Sequence, residues 1–350
     1  MLEGLLEALR GPLPSPKAVL MPDFYIDHFV RFEGELDRFI DSIREVAGRG
    51  GGNFPMTRQR IARGGNAANT AAALLKLGGR PYLVAKADEL GLWLLERRSG
   101  LGGPALSGVK AVGRQSMTVA LELYRDGELV NLMINDPGPV SEFGPSELDE
   151  EDLEMIRRAD FVCALNWGQN AKGTELIKEV FGIAKREGAG RTFLDTGDPS
   201  PKRDEIGALL KEVLGQGLVD IWSLNENEAR WYSSAMGFRA AGASYFEMGR
   251  FIHRELGVVV DLHTSAFSST HGPDGDWMVD SFPTTPLRKT GAGDSWNAAD
   301  ILGHSMSLEP ELRLALSNAA ASYYLSSEEG LHAGVEELRE FLAGRLGRAL

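Results

Sequence analysis

Residues 288–300 read RKTGAGDSWNAAD, with three small residues before an acid at the start of a predicted helix. Backbone N–H groups of Gly291, Ala292 and Gly293 can surround an anion there, and Asp294 follows where it can accept a proton. The pattern predicts an anion site beside a base. A tight turn alone would explain the glycines equally well.

Two earlier stretches carry groups suited to a polar ligand. Gly65, Asn66 and Asn69 open an alanine-rich helical run, which leaves both amides near its N-terminal end, where they can bind hydroxyl groups. Helix capping explains this pattern as well. Asp23 and Asp27 flank the end of an apolar run, and open α/β sheets bind ligands at the carboxyl ends of their strands. Solvated loop acids are the competing interpretation.

Oxygen-bearing side chains in the middle of the chain suit a magnesium site. Asn225 and Glu228 follow an apolar run three residues apart, so their side chains share one side of a first helical turn. Such hard ligands suit Mg²⁺ and its waters, although a capping arrangement competes. Asp195 and Asp198 stand at another predicted strand end, where either can close a turn.

Short apolar runs alternate with helical stretches along the chain, and this alternation predicts the strands and helices that position these residues. This order predicts an α/β fold with a doubly wound, mostly parallel sheet. Residues 112–135 differ, because two β-rich runs are joined by a DG pair that suits a tight hairpin turn. Together with about 24–32 and 54–63, they predict a small β-sheet lid on a single domain of residues 1–350.

Composition limits the function classes. The 350 residues are 43% hydrophobic and 25% charged, as in folded globular proteins. A net charge of −13 argues against nucleic acid, which is bound through Lys and Arg. Cys163 is the only cysteine, which excludes an internal disulfide. No apolar run approaches the ~20 residues of a membrane span, and the N-terminus does not resemble a signal peptide. We expect a cytoplasmic protein without nucleic-acid or membrane partners.

The stretches GGNAAN, DTGDPS, NENE and KTGAGDSWNAA occur in this order, and with them the chain resembles the ribokinase-like (PfkB) carbohydrate kinases from about residue 18 to 335. The resemblance implies a doubly wound core with a β lid. It also implies transfer of a nucleotide's terminal phosphoryl group to an alcohol, with Mg²⁺ and with ATP or ADP as donor. Asp294 is then the catalytic base, and the N–H groups of 291–293 form the anion hole.

The resemblance and the residue patterns together give the expected binding residues. Those for the substrate are Asp23, Asp27, Gly65, Asn66, Asn69, Arg63 and Lys86; those for the nucleotide are Thr290, Arg288, Asn225, His263 and Asn318. Asn225 and Glu228 are expected to hold the metal through waters. Chemistry supports these roles, because an attacking hydroxyl must lose its proton to a base and the transferred group needs donors fixed in advance.

The chain departs from the family pattern in three places. Arg288 and Lys289 stand where members commonly carry Asp and Thr, and Lys86 stands where they often have glycine. VVVDLHTSAFSST replaces a glycine-rich strand and turn near the nucleotide base, so the choice between ATP and ADP stays open. Arg63, Lys86 and Arg288 adjoin motifs expected to face the cleft, and together they predict a site for a phosphate already on the substrate. Solvated surface cations are the alternative.

The predicted function is a small-molecule kinase for a sugar or a sugar phosphate. A nucleoside or inositol-type polyol kinase of the same fold stays open, as does a non-catalytic sugar or nucleotide sensor. A Rossmann-type dehydrogenase would need a G-x-G-x-x-G turn after the first strand, which residues 18–50 lack. Since a small sheet standing off the core leaves apolar faces uncovered, we also expect a homodimer paired through its lids.

Overall fold

A computed structural model describes residues 1–54, 57–239, 242–288, 290–327 and 329–347. Lys289 and residues 55 and 56 of a predicted lid segment lie outside the described residues. The strands are β1 (Lys17–Met21), β2 (Tyr25–Glu35), β3 (Arg58–Gly64), β4 (Arg80–Leu83), β5 (Ala85–Ala87), β6 (Val109–Ala111), β7 (Met117–Arg125), β8 (Glu128–Asp136), β9 (Phe161–Leu165), β10 (Arg191–Asp195), β11 (Ile221–Asn225), β12 (Val259–His263), β13 (Phe267–Gly272) and β14 (Gly275–Asp280).

The helices lie between these strands and at both ends of the chain. They are α1 (Leu2–Ala8), α2 (Leu36–Gly48), α3 (Asn66–Lys76), α4 (Glu89–Ser99), α5 (Glu150–Arg158), α6 (Gly173–Glu187), α7 (Ile206–Glu212), α8 (Glu226–Ala235), α9 (Tyr245–Leu256), α10 (Ala292–Ser305), α11 (Pro310–Leu325) and α12 (Val335–Arg345). None of the described helices combines the length and the apolar character needed to cross a bilayer.

An eight-stranded sheet in the order β14-β13-β12-β11-β10-β9-β1-β4 forms the centre of the molecule. Its strands run parallel from β4 to β12, and β13 and β14 add an antiparallel edge. Alternate residues of β1 enter different hydrophobic clusters, Ala18 and Leu20 in one and Val19 and Met21 in the other. Helices therefore cover both faces, and the predicted doubly wound α/β fold is confirmed.

The site is positioned by the strand order. β1 lies between β4 and β9, so the chain extends the sheet first in one direction and then in the other. Ligands of open α/β sheets bind beyond the carboxyl ends of the strands near such a reversal. Asp23 and Asn166 follow the ends of β1 and β9, and Asp195, Asn225 and His263 are the last residues of β10, β11 and β12.

A second sheet, in the order β3-β2-β7-β8, is built from strands in or beside the three segments predicted to form a lid. The hairpin β7–β8 pairs antiparallel, with Arg125 opposite Glu128 across the predicted turn. The helix α2, which the sequence analysis did not predict, packs on one face of this sheet. Phe32 of β2 meets Phe39 of α2 edge-on, with ring centroids 5.3 Å apart. The helix therefore covers part of that apolar face.

Gly65 joins this second sheet to α3, and its backbone conformation requires glycine. The residue has φ +91, and an ideal Cβ would lie 2.8 Å from the Phe24 Cα and 2.9 Å from the Asp23 carbonyl oxygen. Backbone atoms cannot move aside as a flexible side chain can. The close approach brings the start of α3 against the chain that leaves β1.

We expect Gly65→Ala to lower the free energy of unfolding by more than about 2 kcal/mol, since a positive φ alone costs roughly 1–2 kcal/mol and the backbone overlap adds to it. Gly78→Ala is the matched control, because Gly78 has φ +89 with no heavy atom within 4 Å of an added Cβ. Chemical denaturation of both variants measures the difference. Equal losses would contradict the close approach at Gly65.

Candidate active site

Two helices begin at the carboxyl edge of the central sheet and point their N-terminal ends into one cleft. Helix α3 begins at Asn66, and α10 begins at Ala292 after Gly291, which has φ +87. The first N–H groups of a helix have no partner within it, and its dipole favours negative charge there. The small residues predicted to form an anion hole thus lie at the start of α10, with buried Asp294 in its first turn.

A buried carboxylate holds the start of α3. The backbone N–H groups of Asn66 and Ala67 each donate to Asp23 at 2.8 Å, and the Asn166 amide donates to it at the same distance. Burial raises the pKa of Asp23 to about 6, against the effect of these hydrogen bonds. Asp23 was predicted to bind the substrate; in the structure both its oxygens are used to hold α3.

The two helices are joined by the residue pair Asn69 and Asp294. Asn69 Nδ2 donates to Asp294 Oδ2 at 2.9 Å, and Arg63 Nε donates to Asn69 Oδ1 at 3.1 Å. Burial raises the pKa of Asp294 well above its usual range, and the nearby carboxylates of Asp195 and Asp23 raise it further. A carboxylate with a raised pKa is a stronger proton acceptor once it is ionised. The structure therefore brings together the predicted base and a predicted ligand for hydroxyl groups.

A cavity of about 1020 Å³ lies on one side of the α10 N-terminus. Its lining includes all of 291–294 and four of the residues predicted to bind the nucleotide, namely Asn225, His263, Arg288 and Asn318. Asn66, predicted for the substrate, also lines it. Thr290, the fifth predicted nucleotide residue, lines the neighbouring smaller cavity instead.

Side chains in the wall of the larger cavity are fixed by one another. The His263 ring lies 5.1 Å from Trp296, centroid to centroid. Asn318 accepts a hydrogen bond from Trp296 Nε1 at 3.0 Å and donates to the carbonyl groups of Val279 and Asp280. Asn318 therefore secures the wall. Burial lowers the pKa of His263, so its imidazole is neutral at pH 7.

The predicted metal residues form a helix cap. Asn225 Oδ1 accepts from the backbone N–H groups of Asn227 and Glu228, while both Glu228 oxygens accept from Asn225. This is the capping arrangement that competed with a metal site in the sequence. Burial raises the pKa of Glu228 well above its usual range, and Asp195 raises it further. Such mutually repelling carboxylates fit a divalent cation held through water, and a metal role for Asn225 and Glu228 stays a prediction.

The smaller cavity, about 390 Å³, meets the larger one at Arg288 and Gly291. Five basic and three acidic side chains line it: Arg60, Arg63, Lys76, Arg98 and Arg288, with Asp27, Glu329 and Glu337. Arg63 and Arg288 were predicted here, and the other three were missed. The basic run MTRQRIAR was the signal available for Arg60, which reaches the cavity because it lies opposite Phe29 across the β2–β3 ladder.

Lys86 was also predicted to belong to this cluster, and the structure does not bring it there. Its ammonium pairs with Glu147 at 3.1 Å and lies 5.5 Å from the centre of the Phe143 ring. Lys86 is absent from the described lining of both cavities. Strand β5, which carries it, pairs with β6 away from the second sheet, so its position depends on pairing that the local sequence does not reveal.

One group of side chains outside the cleft has the makeup of a metal site. Asp261, Asp300 and His304 form the only such cluster among the described residues. Arg313 donates to both oxygens of Asp261, at 2.8 and 3.1 Å, and also to Asp300. The guanidinium supplies the positive charge that these carboxylates need, so the cluster is a buried ion pair joining α10 and α11 to the sheet.

Comparisons with known proteins bear on the fold and the family of this chain. The model of the pfkB family of carbohydrate kinases matches residues 35–333. An ATP-dependent ribose-1-phosphate kinase from Halopiger xanaduensis is 26% identical over 273 residues, which cover 77% of this chain and 83% of that protein.

Solved structures share the fold at low identity. Arabidopsis thaliana ribokinase with ribose and ATP has a TM-score of 0.71 at 21% identity, covering 94% of this chain and 99% of that one. Xylella fastidiosa fructokinase with ATP has a TM-score of 0.70 at 14% identity, covering 95% and 99%. Sinorhizobium meliloti adenosine kinase has a TM-score of 0.67 at 17% identity, covering 97% and 100%.

Proposed function

We propose, on the premise that the chain belongs to the pfkB family of carbohydrate kinases, that it transfers the terminal phosphoryl group of ATP to a hydroxyl group of a sugar phosphate. Membership makes the protein a phosphotransferase with an alcohol group as acceptor. The basic lining of the smaller cavity carries the finer proposal. The relative from Halopiger xanaduensis is named for ATP and for a phosphorylated acceptor, which supports both assignments.

The two cavities differ in the charge of the side chains that line them. The smaller one has five basic and three acidic lining residues, within a chain of net charge −13. The larger one has four acidic and two basic lining residues. A phosphate that leaves water must be paired with donors to offset its desolvation, and guanidinium groups do this through several hydrogen bonds. The smaller cavity therefore suits the acceptor's own phosphate, and the larger one suits a nucleotide with its metal.

In this proposal Asp294 accepts the proton of the attacking hydroxyl. The residue lines the larger cavity, and Asn69, which lines the smaller one, holds its carboxylate in place. Backbone N–H groups at the start of α10 stabilise the charge on the phosphoryl group in transit. Asp27, whose pKa burial raises to about 7, lines the acceptor cavity, where it can accept hydrogen bonds from sugar hydroxyls.

Carboxylates of the larger cavity are the groups that would hold magnesium, with Asp195 and Glu228 acting through water. Mg²⁺, when bound, neutralises charge on the nucleotide's phosphates. The Asp195 carboxylate is held in place, because its oxygens accept hydrogen bonds from the Asn297 amide at 2.6 Å and from the Gly197 N–H at 2.9 Å. Burial raises the pKa of Glu228, and repulsion from Asp195 raises it further, a repulsion that a bound cation would relieve.

The second sheet acts as a lid over the acceptor in this proposal. Its strands β2 and β3 carry Asp27, Arg60 and Arg63, all of which line the acceptor cavity. A lid that excludes water prevents water from competing as the nucleophile. A cytoplasmic location and the lack of nucleic-acid and membrane partners stay predictions, and the net charge of −13 supports the lack of a nucleic-acid partner.

Asp294→Asn keeps the side-chain size and removes the proton acceptor. We expect it to lower kcat at least about a hundredfold, the usual range for general-base catalysis, while nucleotide affinity stays within a few-fold. Steady-state kinetics and calorimetric titration with ATP and Mg²⁺ separate the two quantities. Near-normal turnover would show that Asp294 is not the base.

Arg60→Ala should raise KM for a sugar phosphate by about tenfold, the loss of one charge-assisted hydrogen bond, and should leave KM for the parent sugar unchanged. Lys86→Ala is the matched control, because it removes the same charge outside both cavities. Rates with ATP and with ADP, on pentose and hexose phosphates, their parent sugars and nucleosides, provide the readout. A wild-type preference for an unphosphorylated sugar or nucleoside would contradict the proposed acceptor.

A homodimer that pairs through the lid is the assembly we propose. On edge strand β8, Leu132 and Ile134 are 47% and 63% exposed, and Leu132 lies opposite Leu121 of the cluster beneath α2. A partner covering them would extend that cluster. We expect Ile134→Lys to convert the dimer to a monomer in sedimentation experiments, because the interface would have to bury an unpaired ammonium group. Ile43→Lys, on α2, is the control. A monomeric wild type would contradict the proposal.

A further inference from the structure

A series of hydrogen bonds connects Asp294 with its neighbour Ser295 through three other side chains. Asn69 contacts Asp294, and Arg63 contacts Asn69. The Arg63 Nη2 atom contacts Nε2 of His332, and Nδ1 of His332 lies 2.7 Å from the Ser295 hydroxyl. The bonds therefore link α3, β3, the segment between α11 and α12, and the first turn of α10.

The partners of His332 define its proton. A guanidinium can only donate, so Nε2 must accept from Arg63, and the single ring proton lies on Nδ1, where it is donated to Ser295. Burial holds the pKa of His332 well below its usual range, and the cations of Arg63, Arg288 and Lys76 lower it further. The ring is also stacked on Tyr324, with centroids 4.9 Å apart. Both nitrogens and one face are thus engaged by different elements.

Neutrality of His332 matters for the charge on Arg63. Among the described residues, the hydrogen-bond partners of Arg63 are Asn69, Ser99 and His332, none of which is a carboxylate. An aspartate or glutamate in the place of His332 would hold the guanidinium equally well but would neutralise it. A neutral acceptor fixes the position of Arg63 and leaves its charge for an anionic ligand.

We propose that His332 is a positioning residue for phosphoryl transfer. It holds Arg63 where the guanidinium meets both the acceptor phosphate and Asn69, and through Ser295 it ties that arrangement to the turn carrying Asp294. The role of Arg63 toward phosphate rests on the proposed function; the contact with Asn69 does not. His332 thereby connects the filling of the acceptor cavity with the placement of the base.

Two conservative substitutions separate the bonds of the ring. His332→Gln can place an amide oxygen near the Nε2 position and keep an acceptor for Arg63, while it loses the donor to Ser295. His332→Asn can keep a donor near Nδ1 and is too short to reach Arg63. We expect His332→Asn to raise KM for the sugar phosphate about tenfold and to lower kcat, and His332→Gln to stay within about threefold of wild type in KM.

Melting temperature and ATP affinity are measured on both variants. If His332 had a purely structural role, both substitutions would lower stability and the two variants would have the same KM for the sugar phosphate. Equal KM values for the two variants would overturn the inference, as would wild-type KM and kcat in His332→Asn. The parent sugar is assayed alongside. If the wild type prefers the parent sugar, the proposed acceptor is wrong. The value of kcat with that sugar then still tests His332, because in His332→Asn the unanchored Arg63 would no longer hold Asn69.

Discussion

The hydrogen bond between Asn69 and Asp294 is the interaction on which the rest of the site depends. It joins the N-terminal turns of α3 and α10, which are more than 200 residues apart along the chain. Each helix is placed by a local constraint, Asp23 at the start of α3 and the positive φ of Gly291 before α10. Both helices pack in the same hydrophobic cluster, which holds their N-terminal ends in place relative to each other. A shift of either helix would move the Asn69 amide away from the Asp294 carboxylate.

Burying Asp294 has a consequence for chemistry as well as for stability. Desolvation and the neighbouring acids Asp195 and Asp23 favour its protonated form, while Asn69 and Arg63 favour the ionised form. The balance gives a carboxylate that binds a proton more readily than a surface acid does. Such a group suits a step in which a hydroxyl group must lose its proton during attack on phosphorus. The anion site at the start of α10 lies beside it, at the boundary between the acidic and the basic cavity.

Sequence reasoning placed side chains correctly where their position depends only on one helix terminus. The turn before Asp294 and the asparagines at the start of α3 were found because spacing along one helix fixes which groups share its end. Competing interpretations at Asn225 were also visible, and the capping bonds are what the structure shows. Residues that depend on pairing between distant strands were harder. Lys86 and Arg60 are both basic residues, and their local sequences do not show which strand each will pair with. Only Arg60 lies on a strand beside the cleft. His332 lies in no motif, and only the folded chain brings it to Arg63.

The placement of the cations links lid movement to acceptor choice in the proposed function. Arg60 and Arg63 belong to β3 of the lid, whereas Lys76 and Arg98 belong to helices α3 and α4. A phosphate between them would be bound by both parts at once, so its binding energy would favour the closed lid. Without an anion, these cations repel one another. Burial lowers the pKa of both Arg60 and Arg63, and the positive charge of Arg288 lowers it further. An acceptor that lacks a phosphate would leave that repulsion in place, and closure over it would be less favourable. In the proposed function, the same charges would therefore both select the substrate and favour the exclusion of water.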